Sequence, residues 1–231
     1  MSDEITNNLA PEEAERLEHV TESADALSAL IDDLSHSSRR TRQLSARTVS
    51  LLAQREPELL VPHIDQLIDA LYRPEAQTRW EVLDALSLLA PEQAKACGAA
   101  FEGAEAALFD ELSAPLRLSA FHFLAVWGAT ERRRSEKVWP ILDEAIQCFH
   151  GDLEYRDMLG FLYTFAHGQI AGTVAGELAG RLQFDAENGK GNYLRVRSRE
   201  IYDALVKRFK LESPKRRMRV KKEDELDEDE E

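Results

Sequence analysis

The 231-residue chain has too little of several residue types to belong to many protein classes. Two cysteines, Cys97 and Cys148, cannot build a disulfide framework, so a reducing, cytoplasmic setting is expected. Eleven glycines and eight prolines exclude collagen-like and low-complexity compositions. No apolar run approaches the roughly 18 residues that would cross a bilayer, so no membrane partner is expected. Met1 to Ala10 is polar and acidic, where a secretory signal would be basic and then apolar. Positive charge is also in deficit, with 29 Lys plus Arg against 43 Asp plus Glu, a net charge of −14. A nucleic-acid binder usually shows the opposite balance, so nucleic acid is not the favoured partner. CxxC, HExxH, GxSxG and phosphate-loop motifs are absent, so no cofactor and no metal are expected.

What is present is unevenly spread. Residues 1–22 hold seven acids and one arginine, and residues 212–231 hold nine acids and six bases, leaving a nearly balanced middle. Glu223 to Glu231 contains eight carboxylates and only Leu226 as an apolar group, a composition from which no core can form. Three regions follow: an acidic extension over 1–22, partly a helical cap; a repeat domain over 23–211; and a basic-then-acidic tail over 212–231, expected to be disordered.

The middle has helical periodicity. Leu27, Leu30, Ile31 and Leu34 fall at i, i+3, i+4, i+7; Ile64, Leu67, Ile68 and Leu71 do the same; Val138, Ile141, Leu142, Ala145 and Phe149 repeat it. Second segments alternate with these, over residues 39–53, 75–90, 115–127, 153–166 and 193–208. Shifted by 37 residues, Ile31–Ala53 and Ile68–Ala90 agree at nine of 23 positions, including a Thr-Arg pair (Thr41-Arg42, Thr78-Arg79). The arginine recurs as Arg117, Arg156 and Arg195, each opening a second helix. The spacing predicts five helix pairs of about 38 residues, which must bury one another's apolar stripes.

This period, the helix-turn-helix unit and the early arginine of the second helix resemble HEAT repeats, over roughly residues 23–210. The resemblance implies an all-α fold, a right-handed α-solenoid of about five HEAT-like pairs of the armadillo type, with second helices on the concave face. It also implies that Arg42, Arg79, Arg117, Arg156 and Arg195 form a structural ladder between units. The alternative is a cation row that grips an acidic peptide or a phosphate backbone. Departures from the pattern are an irregular first helix in the third unit, interrupted by Gly98 and Gly103, and a long last turn from Phe184 to Asn192. The His-Glu pairs of metal-binding HEAT hydroxylases are missing.

Other features carry two readings each. Leu17, Val20, Ala24, Leu27, Ile31 and Leu34 form a heptad-like seam, suited to a capping extension or to a dimerising helix. Gly168, Gly172, Gly176 and Gly180 stand every fourth residue, suited to close internal packing against the aromatic helix before them or to a partner helix. Trp80 and Asp84, one helical turn apart, match two residues of helical-repeat alkylpurine DNA glycosylases, where the acid would be catalytic and the ring would stack. A core tryptophan and an exposed aspartate account for the same letters. The tail's Lys215–Lys222 block is suited to nucleic acid, to a partner surface or to solubility alone. Altogether the sequence predicts a non-enzymatic scaffold or assembly factor, monomeric or weakly dimeric. It would hold another protein on its concave face, with Arg47, Glu81 and Asp84 as contact candidates. A DNA-binding repeat protein resembling alkylpurine DNA glycosylases is the first alternative, and a HEAT-type lyase or maturase subunit the second.

Overall fold

Serine side chains set several helix starts. Ser23, Ser38 and Ser113 stand in extended backbone and accept hydrogen bonds from the amides of Ala26, Thr41 and Leu116, at 3.2, 3.4 and 3.3 Å. Each satisfies an amide that a helix leaves without an internal partner. The computed structural model describes residues 9–211, and among them are eleven α-helices and no strand. They are α1 (Pro11–Glu22), α2 (Ala24–Asp33), α3 (Arg39–Arg55), α4 (Ile64–Ala70), α5 (Ala76–Cys97), α6 (Phe101–Leu108), α7 (Ala114–Gly128), α8 (Arg132–Phe149), α9 (Tyr155–His167), α10 (Gly172–Asn188) and α11 (Asn192–Phe209). Short 3-10 segments, Pro57–His63 and Gly98–Ala100, lead into α4 and α6. The tail expectations for 212–231 lie outside the described residues.

From α2 onward the helices pair as α2/α3, α4/α5, α6/α7, α8/α9 and α10/α11. The second members stack in chain order, α3 on α5, α5 on α7, α7 on α9 and α9 on α11, and the first members flank that layer. This is the α-solenoid that the repeat predicts. One apolar core runs from Leu17 to Leu205, with Leu34, Leu52, Leu67, Phe121, Phe123 and Phe165 fully buried along it.

The predicted N-terminal seam is buried but is not one helix. Ser23 takes φ −130°, ψ 116°, which ends α1 and starts α2 at an angle. Helix α1 then lies over α2 and α3, and Arg47 Nε donates to Glu13 Oε1 at 3.1 Å. The irregular third unit also has a physical cause. Pro91 lacks an amide proton, and α5 bends near Gln93 (φ −117°, ψ 32°). The chain then passes through Gly98–Ala100 into α6, and the Trp127 indole N–H donates to the Ala94 carbonyl at 2.8 Å. Gly103 lets α6 approach the preceding unit, since a Cβ there would stand 3.1 Å from Leu71 Cδ1.

Two expectations need correction. The last turn is short: α10 continues to Asn188, and Gly191 at φ +91° turns the chain into α11. The glycine row does not pack internally as a row. A Cβ at Gly168 would lie 2.5 Å from Ala129 Cβ and 2.6 Å from its carbonyl oxygen, whereas Gly176 and Gly180 face open space. Gly172 has only ordinary contact, 3.9 Å from Phe209 Cδ1. Tight packing therefore applies at one of the four positions.

Gly176→Ala and Gly180→Ala should each stabilise the protein by up to ~1 kcal/mol, through helix propensity gained without a clash. Gly168→Ala should destabilise it by more than ~1 kcal/mol through overpacking. Thermal denaturation of the three variants distinguishes the two situations.

Candidate functional site

The repeated arginines stand in the first turns of α3, α5, α7, α9 and α11, beside the turn that enters each helix. Arg42 Nη1 donates to the His36 and Ser37 carbonyls at 2.6 and 3.0 Å. Its Nε and Nη2 engage both carboxylate oxygens of Glu75, from the next unit, with Nε to Oε2 at 3.1 Å. That hydrogen bonding holds the Glu75 carboxyl below the usual carboxylate range, although burial pushes the other way. Arg117 repeats the arrangement: Nη1 donates to the Asp110 carbonyl at 2.7 Å, and Nε and Nη2 grip Glu154 of the following unit, with Nε to Oε2 at 3.1 Å. Arg79 reaches Asp110 at 3.7 Å, with its Nε buried and unpaired. Arg156 instead lies over the Tyr193 ring, 4.5 Å from its centroid, and Arg195 Nη1 donates to the Gly189 carbonyl at 3.1 Å.

The three concave-face contact candidates fall together between α3 and α5. Arg47 stands between Glu13 and Glu81, with its Nη1 3.7 Å from Glu81 Oε2. Glu81 is buried, and Asp84 one turn on is half-buried. Burial pushes the Asp84 carboxyl up to about 6, against a hydrogen bond with Ser119. Neighbouring Glu81 raises it further, and Arg47 lowers it. Trp80 packs against the core on the same helix. The pair singled out for its glycosylase spacing is thus a core-facing ring and a carboxyl that releases its proton only near pH 6.

Sequence reasoning missed an exposed apolar surface on the second helices. Leu44, Leu88, Tyr163, Tyr193 and Val196 are exposed apolar residues on second helices, Leu88 at 43% and Val196 at 46%. A groove of about 550 Å³ lies between Pro91 of α5 and the C-terminal ends of α7 and α9, with Val126, Tyr163, Thr164 and His167 among its lining. Beside it, His122 stacks on Phe161 with ring centroids 4.3 Å apart, and burial lowers its pKa. The signal was present as apolar residues off the stripe that each helix needs for its core. A second missed cluster joins α8 to α10: His150 Nε2 lies 2.8 Å from the buried Asp185 Oδ2, to which the Tyr155 hydroxyl also donates at 3.4 Å. Burial, followed by the Asp185 charge, pushes the Tyr155 phenol up. Only its separation, about one repeat, hinted at it.

Cys97 is buried, with its thiol pushed up to about 11, and Cys148 is exposed. Among the described residues no three of His, Cys, Asp or Glu are grouped as a metal ion would require, and no helix is long and apolar enough to cross a membrane.

No protein-family model and no curated protein matches the chain. Solved structures do. A designed armadillo repeat protein, YIII(Dq)4CqI, is 16% identical, with a TM-score of 0.66 over 87% of this chain and 97% of that one. A second designed armadillo repeat protein, YIII(Dq.V1)4CPAF in complex with peptide (KR)4, is 15% identical with a TM-score of 0.68, covering 87% and 89%. The archaeal HEAT-like repeats protein from Thermococcus onnurineus NA1 is 11% identical with a TM-score of 0.54, covering 90% and 97%. At these identities the likeness shows the fold, an armadillo/HEAT-like solenoid.

Arg117→Ala should destabilise the protein by ~1–3 kcal/mol, because Glu154 keeps its half-buried carboxylate without a partner. Urea denaturation measures the loss. Asp84→Asn should stabilise the protein at neutral pH. With its folded pKa above the unfolded one, Asp84 contributes stability below pH 4 that disappears as pH rises through about 6. The neutral amide escapes that loss, so the variant's advantage opens between those values, reaching on the order of 2 kcal/mol at pH 7. Melting temperatures across this range test the sign.

Proposed function

We propose that this chain is a non-enzymatic protein-binding scaffold that holds an extended partner segment along its second-helix surface. The observation that carries the reading is the open groove over α5, α7 and α9, together with the exposed apolar residues Leu44, Leu88, Tyr163 and Val196 on the same layer. Exposed apolar side chains beside an open groove are a usual sign of an interaction site. An extended segment suits a groove that crosses parallel helices, because side chains at successive positions meet successive helices. The designed neighbour in complex with a (KR)4 peptide supports the kind of ligand such a layer can take. The free cysteines support a reducing, cytoplasmic location.

The test is capture of partners from nuclease-treated native lysate by the tagged full chain, compared with Leu88→Glu and Tyr163→Glu variants. Wild-type protein should retain a specific protein partner, and each variant should lose it by about tenfold or more while keeping its melting temperature. Retention by both variants, or capture of nucleic acid alone, would remove the reading.

A further inference from the structure

The arginine column has two rungs with no carboxylate. In Arg42 and Arg117, carbonyls of the entering turn fix Nη1, and the opposite edge of the guanidinium takes both oxygens of a glutamate from the next unit. Arg195 is held in the same way, by the Gly189 carbonyl at 3.1 Å, but no unit follows it among the described residues to supply the acid. At Arg156 the unit does follow, yet its entering turn reads Gly189-Lys190-Gly191 in place of Glu75, Asp110 or Glu154. The Arg156 guanidinium rests on Tyr193 instead. Both arginines are exposed, and neither has an ion-pair partner among the described residues.

We infer that Arg156 and Arg195 form a pair of open slots for the carboxylates of an extended, acidic segment of a protein partner. The inference rests on the scaffold reading and names the chemistry of one stretch of the partner. The filled rungs show what the geometry accepts: a carboxylate, bound by two parallel N–H donors. Adjacent helices lie ~8–10 Å apart, and an extended chain advances ~3.3 Å per residue. The two slots therefore match acidic residues about three apart in sequence. Tyr193, under the Arg156 guanidinium, and exposed Val196 offer apolar contact to the residues in between, and Lys190 adds positive charge. The neighbouring cations are engaged, Arg197 with Glu200, and Arg199 and Arg208 with the Ala186 and Ala166 carbonyls, which leaves Arg156 and Arg195 as two discrete sites.

Fluorescence anisotropy on the full chain provides the test. The probe is a labelled eight-residue peptide with glutamates at positions three and six around Leu-Ser, and its glutamine counterpart is the control. The glutamate peptide should bind about tenfold tighter than the glutamine one. It should weaken about tenfold when Arg156→Gln and Arg195→Gln are combined, and again when salt rises from ~0.05 to ~0.3 M. Arg132→Gln, an exposed change at the start of α8, should leave it unaltered. The double variant gives up the Arg195 to Gly189 hydrogen bond and the Arg156–Tyr193 contact, so binding is compared at a temperature where melting curves show both proteins fully folded.

Equal binding to wild-type and double variant, or to both peptides, would overturn the inference. So would an oligonucleotide that binds more tightly through the same arginines, or binding that appears only after residues 223–231 are removed, which would make the chain's own acidic run the occupant. The scaffold reading fails separately. A lysate partner lost in Tyr163→Glu but kept by the double arginine variant would refute the slots and leave the groove standing.

Discussion

Every unit of this protein depends on the one beside it. A helix pair with one apolar stripe per helix cannot close a core alone, so α3, α5, α7, α9 and α11 bury each other in succession. The polar interactions follow the same rule. Arg42 to Glu75, Arg47 to Glu13, Trp127 to Ala94, Ser135 to Ala171, Arg117 to Glu154, His150 to Asp185 and Arg181 to Asp143 all join residues between 33 and 38 apart, close to one repeat. The period in the sequence is thus also the period of the hydrogen bonds. A guanidinium suits this duty, because one edge can bind the turn of its own unit while the other binds the next.

Much of the fold was legible because it rests on spacing. The stripes at Leu27–Leu34 and Ile64–Leu71, and the recurrence of Thr-Arg, are local patterns that tertiary packing had no reason to override. The errors arose where three-dimensional context decided. Glycines every fourth residue look like a packing motif, yet only Gly168 meets a neighbour closely, because the outward face of α10 has nothing laid over Gly176 and Gly180. The helix end after Phe184 was obscured because the glycines that stop it come only at 189 and 191.

The candidate surface was less legible for a related reason. Arg47 on α3 and Glu81 and Asp84 on α5 are charged residues of second helices, but charge does not reveal exposure, and the fold places Glu81 in the interior beneath Arg47. The open positions are apolar, Leu88 and Val196 among them, and composition counts such residues as core. Asp185 and His150 show the same difficulty: their pairing depends on which face of α10 turns toward α8, and no motif encodes that.

The clasps between α8 and α10 also bear on how the solenoid bends. There the Trp139 indole donates to Glu177, and Arg181 binds Asp143 through two hydrogen bonds of 2.7 and 2.8 Å, around a cleft that reaches Gly180. Other adjoining units are also joined by ion pairs, Arg42 to Glu75 and Arg117 to Glu154, beside their buried core, and the second and third units by a continuous bent helix. A spring made of such segments has unequal stiffness: polar clasps over a cleft yield more readily than a filled core. The joint between the fourth and fifth first helices is such a place, with polar contacts around open space beside second helices that continue the buried core.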